Sequence, residues 1–214
     1  MSNLSLTFDN GPSRSVTPKV LDSLGKRGIP ATFFAVGQNL MDSACQAIAK
    51  RALAEGHRLG NHTFTHSLPL GLSSDPNIVD TEVAAMDRLI RDLGETARLF
   101  RPFGGGGHLD QRLLRADVVT YLTDNAYSCI LWNAVPGDWA DPEGWPERAA
   151  EQCLGQDWAV LVLHDIPTGA MDRLDVFLDD MLARGVCFRA DFPDHCVPIR
   201  DGRITAPLDR FVAP

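Results

Sequence analysis

Two histidines four residues apart, His62 and His66, stand in the stretch Gly60-Asn-His-Thr-Phe-Thr-His66. On a helical turn, positions i and i+4 share a face, so both imidazoles would converge on one cation. That spacing alone is a weak signal, but the chain has only six histidines and these two follow a strand-like segment. Two further strand-like segments end in complementary chemistry. Leu4-Ser-Leu-Thr-Phe8 leads into Asp9-Asn10, and Ala159-Val-Leu-Val-Leu163 into His164-Asp165. Metal ligands, a carboxylate that can take a proton and an imidazole that can return one make up the inventory of a metal-assisted hydrolase. Asp9 and Asn10 point different ways, so one can face a cation while the other faces the reacting water. Asp9, just ahead of Gly11-Pro12, would equally serve as a turn carboxylate accepting a backbone N–H. Asp165 has the same local alternative.

Bringing these side chains together requires strands that end in one place. Ala31–Val36, Arg58–Asn61, Leu99–Arg101, Ser128–Trp132, Ala159–Leu163 and Val186–Phe188 read as strands after the first. Helices are expected between them: from Thr17 as N-cap, with Pro18 in the first turn, to a stop at Gly28, and from Met41 to Glu55 ahead of Gly56. Val79, Val83, Met86, Leu89/Ile90 and Leu93 recur at steps of three and four between Asp75-Pro76 and Gly94, a helical period. Residues 110–123, Trp145–Leu154 and Met171–Ala183 complete the helices. Apolar strands separated by helices imply a parallel sheet covered on its faces, and an α/β barrel of about seven or eight units fits the count. A flat doubly wound sheet fits the alternation too, but no glycine fingerprint follows the first strand. Val197–Thr205 reads as a hairpin on Asp201-Gly202. One domain over residues 1–214, with a hairpin-like tail at about 195–214, is the expectation.

A hydrophobic share of 44% and a charged share of 22% belong to an ordinary globular chain. A net charge of −8 with no Lys/Arg cluster to offset it argues against a nucleic-acid partner. The five cysteines form no C-x-x-C pair, and read as buried free thiols in a reducing compartment. The amino terminus runs into a strand with no basic and apolar leader pattern, and no stretch reaches membrane-spanning length. A cytoplasmic protein without a membrane partner is expected. No feature specifies an oligomeric state.

Taken in order, five segments resemble the motifs of the polysaccharide deacetylases, the NodB-homology or carbohydrate esterase 4 family. They are Thr7-Phe-Asp9-Asn10-Gly11-Pro12, Asn61-His62-Thr-Phe-Thr-His66, Arg101-Pro-Phe-Gly104, Asp138-Trp139 and Leu161-Val-Leu-His164-Asp165. The first two with the last are specific in combination; the middle two are degenerate. The likeness spans about residues 4–190. It implies a distorted (β/α)7 barrel that hydrolyses an N-acetyl group, commonly on amino-sugar polymers, with one divalent metal. Zinc is the first expectation, with cobalt or nickel as alternatives. Carried across, Asp9 matches the general base, His164 the general acid, Arg101 the residue orienting the base, and Asp138 the carboxylate tuning the acid. Asn10, His62 and His66 match the metal positions. Trp139, Phe103, Gly104 and Val162 fall on the substrate side, and backbone N–H groups after Arg101 would supply oxyanion donors.

Four departures qualify that match. Asn10 stands where the family usually has Asp, so the third metal position brings an oxygen without charge and a weakly held ion is expected. The third motif is one residue shorter than the usual Arg-Pro-Pro-Tyr-Gly and runs into four glycines, Gly104 to Gly107. That run would either let backbone approach a ligand closely or form a mobile loop. Val135 replaces a polar-network Asp, and Val162 a Leu of the acetyl pocket. Three readings follow: a carbohydrate deacetylase, a non-catalytic homologue that binds a carbohydrate or partner, and a hydrolase of a small soluble N-acyl amide. His57 and His108 read as surface or loop residues and His195 as structural. Trp145 and Trp158 read as packing residues, with a sugar face as the alternative for Trp145.

Overall fold

The computed structural model describes residues 2–214. In chain order the elements are β1 (Asn3–Asp9), α1 (Thr17–Gly25), β2 (Ala31–Ala35), α2 (Gly37–Leu40), α3 (Ser43–Ala54) and β3 (Arg58–Asn61). After a π-helical turn at Val79–Ala84 come α4 (Ala85–Asp92), β4 (Leu99–Phe100), α5 (Ala116–Asp124), β5 (Ser128–Cys129), α6 (Trp145–Leu154) and β6 (Trp158–His164). The chain ends with α7 (Leu174–Ala183), β7 (Cys187–Phe188), β8 (Ile199–Arg200) and β9 (Arg203–Ile204).

The strands form one curled, mostly parallel sheet in the order β6-β1-β2-β3-β4-β5-β8-β9, with β7 added beside β1. β1 pairs with β6 along its whole length, from Asn3 opposite Trp158 to Asp9 opposite His164. That register delivers the acid and the imidazole to the same rim. The curl is closed without a full strand ladder. Beyond β5 the chain swings back to β6, where Val162 N–H donates to the Ala134 carbonyl at 3.0 Å. The expected parallel barrel is therefore present in distorted form. The tail hairpin is also as expected: β8 and β9 pair antiparallel, with Asp201 and Gly202 both at positive φ.

Alternation along the strands sorts side chains between two apolar layers. Leu4, Leu6 and Phe8 of β1, with Leu161 and Leu163 of β6, pack outward under the helices among Leu21, Met86 and Phe177. Val160 and Val162 point into the barrel with Phe34, Phe100 and Trp132. β1 sends polar side chains inward, Ser5, Thr7 and Asp9, all buried. The burial of an acid on the barrel axis requires a partner there.

Several expected boundaries move. The helix expected over 110–123 starts only at Ala116, because the backbone of Leu114 is engaged by Phe211 and Ala213 of the tail. The helix expected from Met41 begins at Ser43, where the Asp42 side chain accepts the Ala44 N–H at 3.0 Å. Thr17 is not the N-cap; Val16 is. The Thr17 hydroxyl instead accepts the Ser13 N–H and donates to Asp165. Trp145 is fully buried against Phe177, which excludes a sugar contact. His57 is buried too, accepting the Ala31 N–H at 3.3 Å. Cys187 is exposed, unlike the other four thiols.

Candidate active site

Arg101 leaves the end of β4 and runs into the barrel with no exposed surface. Its Nη1 donates to Asp9 Oδ1 at 2.8 Å and to Thr7 Oγ1 at 2.6 Å, and its guanidinium lies 4.0 Å from the Phe34 ring centroid. Burial alone would raise the Asp9 carboxyl, but Arg101, with His62 and His164, outweighs it and holds Asp9 below the usual carboxylate range. The alternative of Asp9 as a turn cap is not what the structure contains. The partner that makes its burial tolerable comes from 92 residues away.

His62 and His66 converge, with ring centroids 4.8 Å apart, but not on a helix. Thr63 and His66 both take left-handed backbone, φ 67° and 52°, so the chain doubles back and brings the rings together. Two groups hold this strained loop. Asn61 Oδ1 accepts the Thr63 N–H at 3.0 Å. Glu82 accepts the N–H groups of Phe64 and Thr65 at 2.9 and 2.8 Å and the Thr65 hydroxyl at 2.6 Å. Glu82 sits in the π-helical turn, whose Val83 carbonyl accepts from the Asn61 amide at 2.9 Å.

Burial, offset only in part by Asp9, keeps His62 below its ordinary pKa. Burial and the neighbouring His62 push His66 down to about 3. Both rings are therefore neutral near pH 7, and the 3.6 Å approach of His62 Nε2 to Asp9 Oδ2 is not an ion pair. His62 Nδ1 faces the Arg101 carbonyl at 2.8 Å. A carbonyl only accepts, so the ring hydrogen is there and Nε2 keeps its lone pair.

Asn10 is held by its backbone: its N–H donates to the Phe34 carbonyl and its own carbonyl accepts from Asn39 at 2.7 Å. It sits at φ 73°, which Asn tolerates better than most residues. Its side-chain Oδ1 is buried and has no hydrogen-bond partner. An orphaned amide oxygen near two neutral imidazoles is a donor set that fits a divalent cation. No group of three His, Cys, Asp or Glu side chains among the described residues could hold one, so the amide would have to supply the third donor.

On the other side, His164 is held at both ends of one carboxylate. Asp138, fully buried, accepts the His164 N–H at 2.8 Å and pairs with Nδ1 at 2.9 Å. Burial would lower His164, but the bond and charge of Asp138 raise it above its ordinary value. Trp139, partly exposed, stands edge-on to this imidazole at 4.8 Å. Asp165 does not bond locally: it accepts from the Thr17 hydroxyl, distant in sequence, and packs against Gly11, where a Cβ would lie 2.2 Å from Asp165 Oδ2. Only glycine fits beneath that carboxylate.

The glycine run is packed at its two ends, while Gly105 between them faces open space. A Cβ at Gly104 would lie 2.5 Å from the Trp132 ring and one at Gly107 2.9 Å from Val135, while Trp132 Nε1 donates to the Gly107 carbonyl at 2.9 Å. The shortened loop also lays Phe103 on His66, centroids 3.9 Å apart. Gly107 N–H is spent on the Gly104 carbonyl, which removes one of the expected oxyanion donors. All eleven site residues expected from the sequence line one cavity of about 250 Å³ except Arg101 and Asp138, which lie behind Asp9 and His164. Thr7, Asn39, Asn61, Glu82, Trp132 and Ile166 were not expected at the site.

A family model described as polysaccharide deacetylase matches residues 2–120. A chitooligosaccharide deacetylase of Rhizobium leguminosarum bv. phaseoli is 32% identical over 168 residues, 76% of this chain and 68% of that protein. A family 4 acetyl xylan esterase from Clostridium thermocellum, solved in complex with a cobalt ion, matches with a TM-score of 0.70 at 26% identity, covering 88% of this chain and 87% of that one. A CE4 family pseudoenzyme from Bacillus anthracis shares the fold, with a TM-score of 0.72 at 22% identity over 87% of this chain but 63% of that one.

Proposed function

We infer the activity from one premise: the chain belongs to the polysaccharide deacetylase family. The reaction proposed is hydrolysis of the N-acetyl amide of an amino sugar or its oligomers, the substrate class named for the Rhizobium relative. The chain is taken to act as one deacetylase unit.

One observation supports this most directly. A carboxylate held ionised by Arg101 and an imidazole whose proton affinity Asp138 raises line the same cavity. Paired groups whose surroundings push their proton affinities apart are what acid–base hydrolysis requires. Asp9, its Oδ1 occupied by Arg101, would take the proton of the attacking water through Oδ2. His164, its Nδ1 committed to Asp138, would give a proton to the departing amine, which leaves poorly without one. Trp139 would border the acyl group. Asn10, His62 and His66 would hold one divalent ion, zinc first, with cobalt or nickel as alternatives. When bound, it supplies polarisation of the amide carbonyl and a more acidic water.

The test is acetate release from chito-oligosaccharides with added Zn²⁺ or Co²⁺. Asp9→Asn and His164→Ala should each lower turnover on the order of 10²- to 10⁴-fold. If both turn over as fast as the parent, the roles are wrong. The uncharged Asn10 amide favours a second reading, a homologue that binds a carbohydrate without cleaving it. Sugar binding by protein that takes up no cation from excess Zn²⁺ would select that one.

A further inference from the structure

Every polar side chain lining the cavity, the tryptophan rings apart, is already committed to the chemistry just proposed: Asp9, Asn10, His62, His66 and His164. The facing wall is Trp132, Val135, Trp139, Val162 and Ile166. It is continuous. The hydrogen bond from Val162 N–H to the Ala134 carbonyl sets Val135 beside Val162, Gly107 packs on Val135, and the Trp132 N–H is spent on Gly107. Apart from the N–H of Trp139, a sugar hydroxyl meets no spare side-chain partner on that wall. A hydrocarbon chain meets contact along all of it.

Room is available as well. The cavity of about 250 Å³ is many times the roughly 10–15 Å³ that one water-sized group needs on the same measure, so two methylenes beyond an acetyl are a small addition. We propose that this site takes N-acyl groups longer than acetyl, propionyl and butyryl, and that Val135 sets the upper limit. The proposal rests on the deacylase reading above and names the acyl class it serves.

The experiment is a homologous series: N-acetyl-, N-propionyl- and N-butyryl-glucosamine disaccharides. Affinity is measured by titration calorimetry, and release of each acid in the presence of Zn²⁺ by mass spectrometry. Burial of each added methylene should tighten binding about fourfold, so about 15-fold from acetyl to butyryl. Val135→Phe should reverse that order and Val135→Leu should flatten it, while the series on the parent protein stands without either variant. Acetyl compound bound as tightly as butyryl, or tighter, overturns this inference and leaves the deacetylase reading intact. No member bound or cleaved with zinc present removes both.

Discussion

His62 gives its Nδ1 hydrogen to the main-chain carbonyl of Arg101 at 2.8 Å. The guanidinium of that same Arg101 holds Asp9 at 2.8 Å. One residue thus orients an imidazole through its backbone and ionises an acid through its side chain. The two functions separate under substitution, because only the second depends on the side chain.

Arg101→Met should therefore leave the His62 contact and strip Asp9 of its partner. Breaking a buried pair typically costs about 3–5 kcal/mol, read here as lost stability to urea at pH 7. In the parent, the depressed Asp9 pKa contributes stability that is present above its unfolded value of 3.8 and lost as pH falls through the lower folded value. Without Arg101, only His62 and His164 oppose burial, the carboxyl should rise, and the variant should recover stability as pH drops from neutral. Adding Asp9→Asn should restore part of the loss. A variant as stable as the parent at pH 7 would contradict this.

His164 runs the opposite way. Its folded pKa is raised, so its contribution to stability is complete below the unfolded value of 6.5 and lost as pH rises through the folded one. As the proposed acid it must be protonated, which places the alkaline fall of turnover above pH 6.5. Asp138→Asn keeps the shape but removes the charge, and should move that alkaline limb to lower pH in a profile of kcat. An unmoved limb would mean that Asp138 does not tune His164.

The strands and their exits were legible because apolar runs and the residues that end them are local signals. Asp9, His62 and His164 were placed at one rim for that reason. What the sequence concealed depended on distant backbone. The His62–His66 spacing reads as a helical turn, yet the left-handed Thr63 and His66 make a loop of it. Loose and packed glycine runs look alike until Trp132 and Val135 are seen against Gly104 and Gly107. Glu82 did leave a trace: it is an acid beside Val83 on the buried stripe with Val79 and Met86, and a buried acid needs a reason.

That reason is testable. Glu82 spends both oxygens on Phe64 and Thr65, two residues ahead of His66. Glu82→Ala should free the loop and weaken Zn²⁺ binding on the order of 10- to 100-fold, the usual scale for supports behind a metal ligand. A competitive chelator titration measures it. Glu82→Gln, which can still accept from one oxygen, should fall between. Unchanged zinc affinity in the alanine variant, with the fold intact, would reduce Glu82 to a packing residue.

Asn10→Asp separates two effects of charge at one position. The backbone at φ 73° accommodates Asp as it does Asn, so the change is electrostatic. Without a cation, the new carboxylate faces Asp9 across a buried site and should raise the Asp9 carboxyl, lowering the melting temperature in EDTA below the parent's. With Zn²⁺ present, the carboxylate replaces the orphaned amide oxygen and should bind at least about tenfold more tightly, a modest share of the about 4 kcal/mol that a contact ion pair carries near a protein surface. Zinc at 100 times its Kd adds about 2.7 kcal/mol to the folded state, so the order of the two melting temperatures should invert when zinc is added. An order that stays the same in EDTA and in zinc would mean that position 10 does not face the cation, and that His62 and His66 lack their third donor.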